Sequence, residues 1–191
     1  MINWDELKHI HVIRNLETIL AQWFKTEVFI LDSQGRVQNY DPNDRQRQFK
    51  NPICANLLPY DSGRKVLLDS FSQALEKLFE NPEKAHFFDG PLGIEKGLIS
   101  PIRHEGEVFG AVCAFSFIEK NISDEAFKRG KETVQNLGLD VEFYEEAASK
   151  LNVLEGKDKR YFVELVDLVA QEIIAFHQEI SKREERIHAL N

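Results

Sequence analysis

Gly97-Leu98-Ile99-Ser100-Pro101-Ile102-Arg103, His104-Glu105-Gly106 and Glu107-Val108-Phe109-Gly110-Ala111-Val112-Cys113-Ala114-Phe115-Ser116-Phe117 form the stretch that decides the fold. Two apolar runs flank a short glycine-containing turn, which is the pattern of a β-hairpin. The second run is apolar on both faces for much of its length. That predicts a central strand covered on both sides. Pro101 cannot donate to a ladder, so the first run is expected to be bulged or at an edge there.

Outward from the hairpin the period changes. Lys84-Ala85-His86-Phe87-Phe88 reads as a strand ended by Asp89-Gly90-Pro91. Residues 61–80 place Val66, Leu67, Phe71, Ala74, Leu75 and Leu78 near a 3.6-residue period, a helix that Asn81-Pro82 stops. Residues 41–52 are a polar loop with Pro42 and Pro52. Residues 26–40 read as a hairpin: Glu27-Val28-Phe29-Ile30-Leu31, turn chemistry at Asp32-Ser33-Gln34-Gly35, then an alternating arm. Residues 4–24 read as one helix with Leu7, Ile10, Ile13, Leu16, Leu20, Trp23 and Phe24 on its apolar stripe; Asn3 caps it, with Glu6 three positions on. Downstream, Ser123-Asp124-Glu125 starts a helix and Leu137-Gly138 stops it. A short helix follows over about residues 140–151.

Hairpins rather than repeated helical crossovers join these strands. The fold class predicted is α+β: an antiparallel sheet of about five strands with flanking helices, plus a long C-terminal coiled-coil helix. Residues 1–156 are expected to form the domain and 157–191 the C-terminal helix.

That helix carries the strongest pattern in the chain. Phe162, Val166, Val169, Ile173, Phe176, Ile180, Arg183, Ile187 and Leu190 alternate steps of four and three, a heptad seam. Leu165, Leu168 and Ile174 widen the stripe upstream, so that half is expected to pack on the sheet or the first helix. Beyond Phe176 the stripe narrows to the seam. Val169, Ile173, Phe176, Ile180, Arg183, Ile187 and Leu190 are the candidate dimer interface, with intramolecular packing as the alternative. The phase is still good at Leu190 with no stop signal, which predicts a longer protein with an output domain beyond.

Composition narrows the function. The 191 residues carry a net charge of −8, against a nucleic-acid-binding surface. Fourteen Phe are enough to fill a sizeable core. No apolar run approaches the roughly 20 residues that cross a bilayer, and no signal peptide is visible. A cytoplasmic location without membrane contact is expected. Cys54 and Cys113 show no metal-ligand spacing and read as buried thiols.

No catalytic motif is present, so no enzyme activity, metal or cofactor is expected. Gly90-Pro91-Leu92-Gly93 reads as a turn, and Glu145-Glu146 and Glu184-Glu185 as solvated faces. His9 and His11 are two apart and face different sides of a helix. His104 reads as hairpin surface.

Taken in order, the pieces resemble a PocR-type sensory domain, a relative of the PAS and GAF ligand-binding modules. The resemblance rests on Val28-Phe29-Ile30-Leu31-Asp32-Ser33-Gln34-Gly35-Arg36, on Cys54 in a loop before Ser62-Gly63-Arg64, and on Pro101-Ile102 leading to Gly106 and Gly110. Leu137-Gly138-Leu139-Asp140 and Leu151-Asn152-Val153-Leu154 look like the family's tail. It spans residues 5–175. The chain departs from the family at Lys65-Val66-Leu67-Leu68 and His86-Phe87-Phe88-Asp89, where further cysteines are usual. Cysteine-based chemistry therefore does not carry over beyond Cys54.

The resemblance implies a regulatory input module in front of a histidine kinase, diguanylate cyclase or transcription activator. It also implies a small-molecule ligand and a homodimer joined through the C-terminal helix. Tyr40, Cys54, Phe71, His86, Phe88, Ser100, Phe115 and Phe117 are the ligand-binding candidates, and core packing explains each as well. A filled pocket with Phe87, Phe88, Phe115 and Phe117 interdigitated would favour a ligand-free dimerisation or interaction module. A void of a few hundred Å³ with convergent polar groups would favour sensing.

Overall fold

The computed structural model describes residues 2–7, 10–41, 44 and 46–190. His9 and Pro42, named above, lie outside the described residues. The elements are α1 (Trp4–Leu7), α2 (His11–Phe24), β1 (Glu27–Asp32), α3 (Pro52–Leu57), α4 (Asp61–Glu80), β2 (His86–Asp89), β3 (Lys96–His104), β4 (Glu107–Phe117), α5 (Asp124–Asn136), α6 (Val141–Ser149) and α7 (Gly156–Leu190).

The deciding stretch is the centre of the sheet. β1, β4, β3 and β2 lie side by side in that order, all antiparallel. Glu105 and Gly106 turn the β3–β4 hairpin with φ of 50° and 83°, the left-handed pair that a two-residue hairpin turn requires. β2 ends opposite Ile99, so Pro101 lies beyond its neighbour strand, and a register shift follows at Ile102/Arg103.

Both faces of the sheet are covered. Phe29, Leu31, Ile99, Ala111, Cys113 and Phe115 pack under α3, α4 and α6. Val28, Ile30, Leu98, Val112, Ala114 and Phe117 pack under α2 and α7. This two-sided cover is why every residue of β1 is buried, polar Glu27 and Asp32 included.

Four expectations are corrected. The sheet has four strands, because the arm after Gly35 makes only an isolated bridge, Leu31 to Val37. Beyond that bridge the Asn39 side chain stands in for backbone: it accepts from the Ile30 N–H at 2.8 Å and donates to the Val28 carbonyl at 2.9 Å. The 4–24 helix is two helices, α1 and α2, and Trp23, placed on the apolar stripe, is 71% exposed. Cys54 sits in a helix, α3, not a loop. Asn51 caps it by accepting from the Ile53 and Cys54 N–H groups, and Pro52 follows at the first helical position, where it loses no bond. Phe115 and Phe117 lie on opposite faces, since the register advances two residues on β4 against one on β3 between Lys96 and Gly97. The upstream half of the C-terminal helix packs on the sheet as expected: Phe162, Val166, Val169 and Ile173 of α7 are 0% exposed.

Candidate functional site

The eight ligand-binding candidates are not brought into one cavity. Phe71, Phe88 and Phe115 meet: ring centroids are 5.7 Å apart for Phe71–Phe115, 6.0 Å for Phe71–Phe88 and 6.3 Å for Phe88–Phe115. Phe88 also lies over Gly97, its cross-strand partner, in the space a Cβ would need. The cluster is filled with side chains. Tyr40 stacks edge-on against Phe29 and Phe49 on the same side of the sheet.

Cys54 and Cys113 are both fully buried, and burial pushes each thiol well above its ordinary pKa. Neither is poised as a thiolate. His86 bonds through Nε2 to the Asn81 carbonyl at 2.7 Å. Ser100 and Phe117 lie on the opposite face: Ser100 donates to Asp167 of α7 at 2.5 Å, and Phe117 packs on Phe162 at 5.1 Å. Phe87 belongs to that second face too, 6.0 Å from Phe117.

A concave polar site lies elsewhere, where α1, α2, β1 and the arm after Gly35 meet. It encloses about 290 Å³. Trp4, Leu7, Ile13 and Ile30 form its apolar part; Arg14, Glu17, Gln38, Asn39 and Arg47 supply the polar groups. Period 3.6 puts Glu17 between Ile13 and Leu20 on the face of α2 that turns toward the sheet. This charge set into an apolar stripe was the one sign of the site in the sequence.

The Glu17 carboxylate accepts from Asn39 Nδ2 at 2.8 Å through Oε1. Burial raises its pKa, offset in part by that hydrogen bond and by Arg47 and Arg14. Arg47 is already engaged: it donates to the Asn39 carbonyl at 2.9 Å and lies over the rings of Tyr40 and Phe49 at 5.0 and 5.4 Å. Asn39 and Gln38 are likewise tied, Gln38 to Asp32 at 3.0 Å. Two groups remain open. Glu17 Oε2 has no hydrogen-bond partner among the described residues, and the Arg14 guanidinium makes no ion pair among them.

The site is coupled to the long helix. α2 lies against α7, with Phe24 edge-on to Phe162 at 5.2 Å. A second, more open groove of about 550 Å³ runs along that junction, with Trp23, Phe24, Tyr161, Leu165 and Leu168 in its walls.

The seam divides after Ile173. Val169 and Ile173, two of the expected interface residues, are 0% exposed against the chain's own sheet, so their surface is used internally. Phe176 and Ile180 are half-buried, and residues 182–190 are exposed throughout. Ile187 and Leu190 are 59% and 86% exposed. Arg183 on this seam reaches Glu179 one turn back at 2.5 Å.

Among the described residues no cluster of three or more His, Cys, Asp or Glu is placed to hold a metal ion. Nor is any helix long and apolar enough to cross a membrane. No known family profile matches this chain, and no curated protein matches it.

Proposed function

We propose that this chain is a small-molecule sensory module of the PAS/GAF-like, PocR-type kind, without catalytic activity of its own. It acts in the cytoplasm as a homodimer joined through the distal half of α7, in front of an output domain such as a histidine kinase, diguanylate cyclase or transcription activator. One observation carries the proposal: a void of about 290 Å³ in which five polar side chains converge over an apolar floor. The binding site is therefore the α1–α2–β1 cleft, not the filled aromatic cluster around Phe71.

The relay follows from the packing. A ligand in the cleft contacts α2, and α2 rests on α7. Occupancy that favours one packing of α2 shifts the population of α7 positions that go with it. Beyond Ile180 the helix has only its seam to present. An isolated nine-residue helical segment is marginal in water, so a second helix is its natural cover.

A second reading is a ligand-free dimerisation module. The filled Phe71–Phe88–Phe115 cluster favours it, as do the exposed Trp23, Tyr161, Leu168, Ile187 and Leu190 on α2 and α7. Native mass spectrometry of the purified chain separates the two. A two-chain mass carrying a small extra mass supports the sensor. A bare dimer that gains no mass from a metabolite extract supports the interaction module. A bare monomer rejects the dimer and leaves α7 as an internal helix.

A further inference from the structure

Resting on that sensor reading, we infer that the cleft takes a small zwitterion: an α-amino acid with an aliphatic side chain, its ammonium on Glu17 and its carboxylate on Arg14. The two groups left open by the chain's own bonding have opposite sign. Glu17 Oε2 lacks a hydrogen-bond partner and Arg14 lacks an ion pair among the described residues, although they stand three residues apart on one face of α2. Both belong to the cleft wall. The remaining polar groups, Arg47, Asn39 and Gln38, are held by the protein itself and serve as frame.

Other ligand classes fit worse. A wholly apolar molecule would displace water from Glu17 and Arg14 without replacing its hydrogen bonds, which leaves both charges without solvent or partner. A simple anion would satisfy Arg14 and face the Glu17 carboxylate. A simple cation would satisfy Glu17 and face Arg14 and Arg47. A molecule with both charges one carbon apart meets both, and an aliphatic side chain rests against the apolar part of the cleft, Trp4, Leu7, Ile13 and Ile30. Charge-assisted hydrogen bonds of this kind are the strong ones.

The test is calorimetric titration of the intact chain with L-leucine, L-valine and L-methionine, and with the two halves of leucine, 4-methylpentanoate and 3-methylbutylamine. At least one amino acid should bind, with both half-molecules weaker by about tenfold or more. Glu17→Gln keeps an acceptor for Asn39 and removes only the charge; Arg14→Gln changes an exposed side chain. Each should weaken amino-acid binding by about tenfold while leaving the melting temperature within a few degrees of wild type. Equal binding of either half-molecule overturns the zwitterion assignment, as does wild-type affinity in Glu17→Gln. No binding by any of the three amino acids overturns it as well. If the purified chain then still carries another small mass, the sensor reading survives and the ligand class falls. If it is bare and stays bare in a metabolite extract, both fall.

Discussion

Glu95 is the residue whose chemistry is set most completely by position. Its side chain is 1% exposed and turns back into its own loop, where Oε1 accepts from the Leu92 N–H at 3.1 Å and Oε2 from the Ile94 N–H at 3.2 Å. Desolvation outweighs those bonds and raises its pKa from 4.5 to about 7. Between those two values the folded chain binds more protons than the unfolded chain, so this group's contribution to stability falls as pH rises from about 4.5 to about 7, then levels off. The full span is worth up to about 3 kcal/mol. Glu17 and Glu27, also raised by burial, act in the same direction. Urea denaturation of wild type and Glu95→Gln at pH 5, 6, 7 and 8 isolates the Glu95 share. The wild-type advantage over the variant should shrink from pH 5 to about pH 7 and level off toward pH 8, and a pH-independent difference would show that Glu95 is ionised throughout. None of this was legible in the sequence, where Glu95 is one acidic residue in a glycine-rich turn. Its burial depends on Gly90, whose missing Cβ leaves the room that the Glu95 carboxylate occupies.

At the scale of elements, what was legible is what local period and capping decide. The β3–β4 hairpin, α4, the Ser123 cap of α5 and the short helix α6 all follow from patterns within one turn or one strand. The failures have a common cause in long-range substitution: Asn39 replaces a strand's backbone, the shift at Ser116 reverses the face of Phe117, and the cleft is assembled from α1, α2, β1 and a distant arm. Gly63 shows how tertiary contact overrides helix propensity. It stands in the first turn of α4, where Ala would ordinarily be favoured by about 1 kcal/mol. A Cβ there would lie 2.3 Å from the Leu57 carbonyl oxygen of α3 and 2.8 Å from the Leu57 Cα. Both obstacles are backbone, so α3 and α4 must move apart. Gly63→Ala should therefore destabilise the protein by about 1–3 kcal/mol, read as a lower urea midpoint with unchanged m. A neutral or stabilised variant would mean that α3 rides loosely on α4.

For the whole molecule, α7 sets where the folded unit ends. Thirty-five residues at 1.5 Å each make a rod of about 52 Å. Its first half is core, from Phe162 to Ile174, and its last nine described residues are exposed throughout. A proline at position 180 is a clean cut between these roles. It removes one helical hydrogen bond and clashes one turn back, at Phe176, after the last fully buried residues have been placed. Ile180→Pro should keep a single cooperative unfolding transition close to wild type, because the sheet and both of its helical layers are intact. The same variant should lose the dimer, because the seam at Phe176, Ile180, Ile187 and Leu190 no longer lies along one helix. Sedimentation equilibrium and a thermal melt on the same sample read both properties. If the variant dimerises as wild type does, the contact lies instead along the exposed Trp23–Tyr161–Leu168 face of α2 and α7, and a signal from the cleft would reach a partner through the domain's flank, not through its projecting end. If it unfolds at much lower temperature, the distal half is part of the folding unit, and the domain extends to the end of α7.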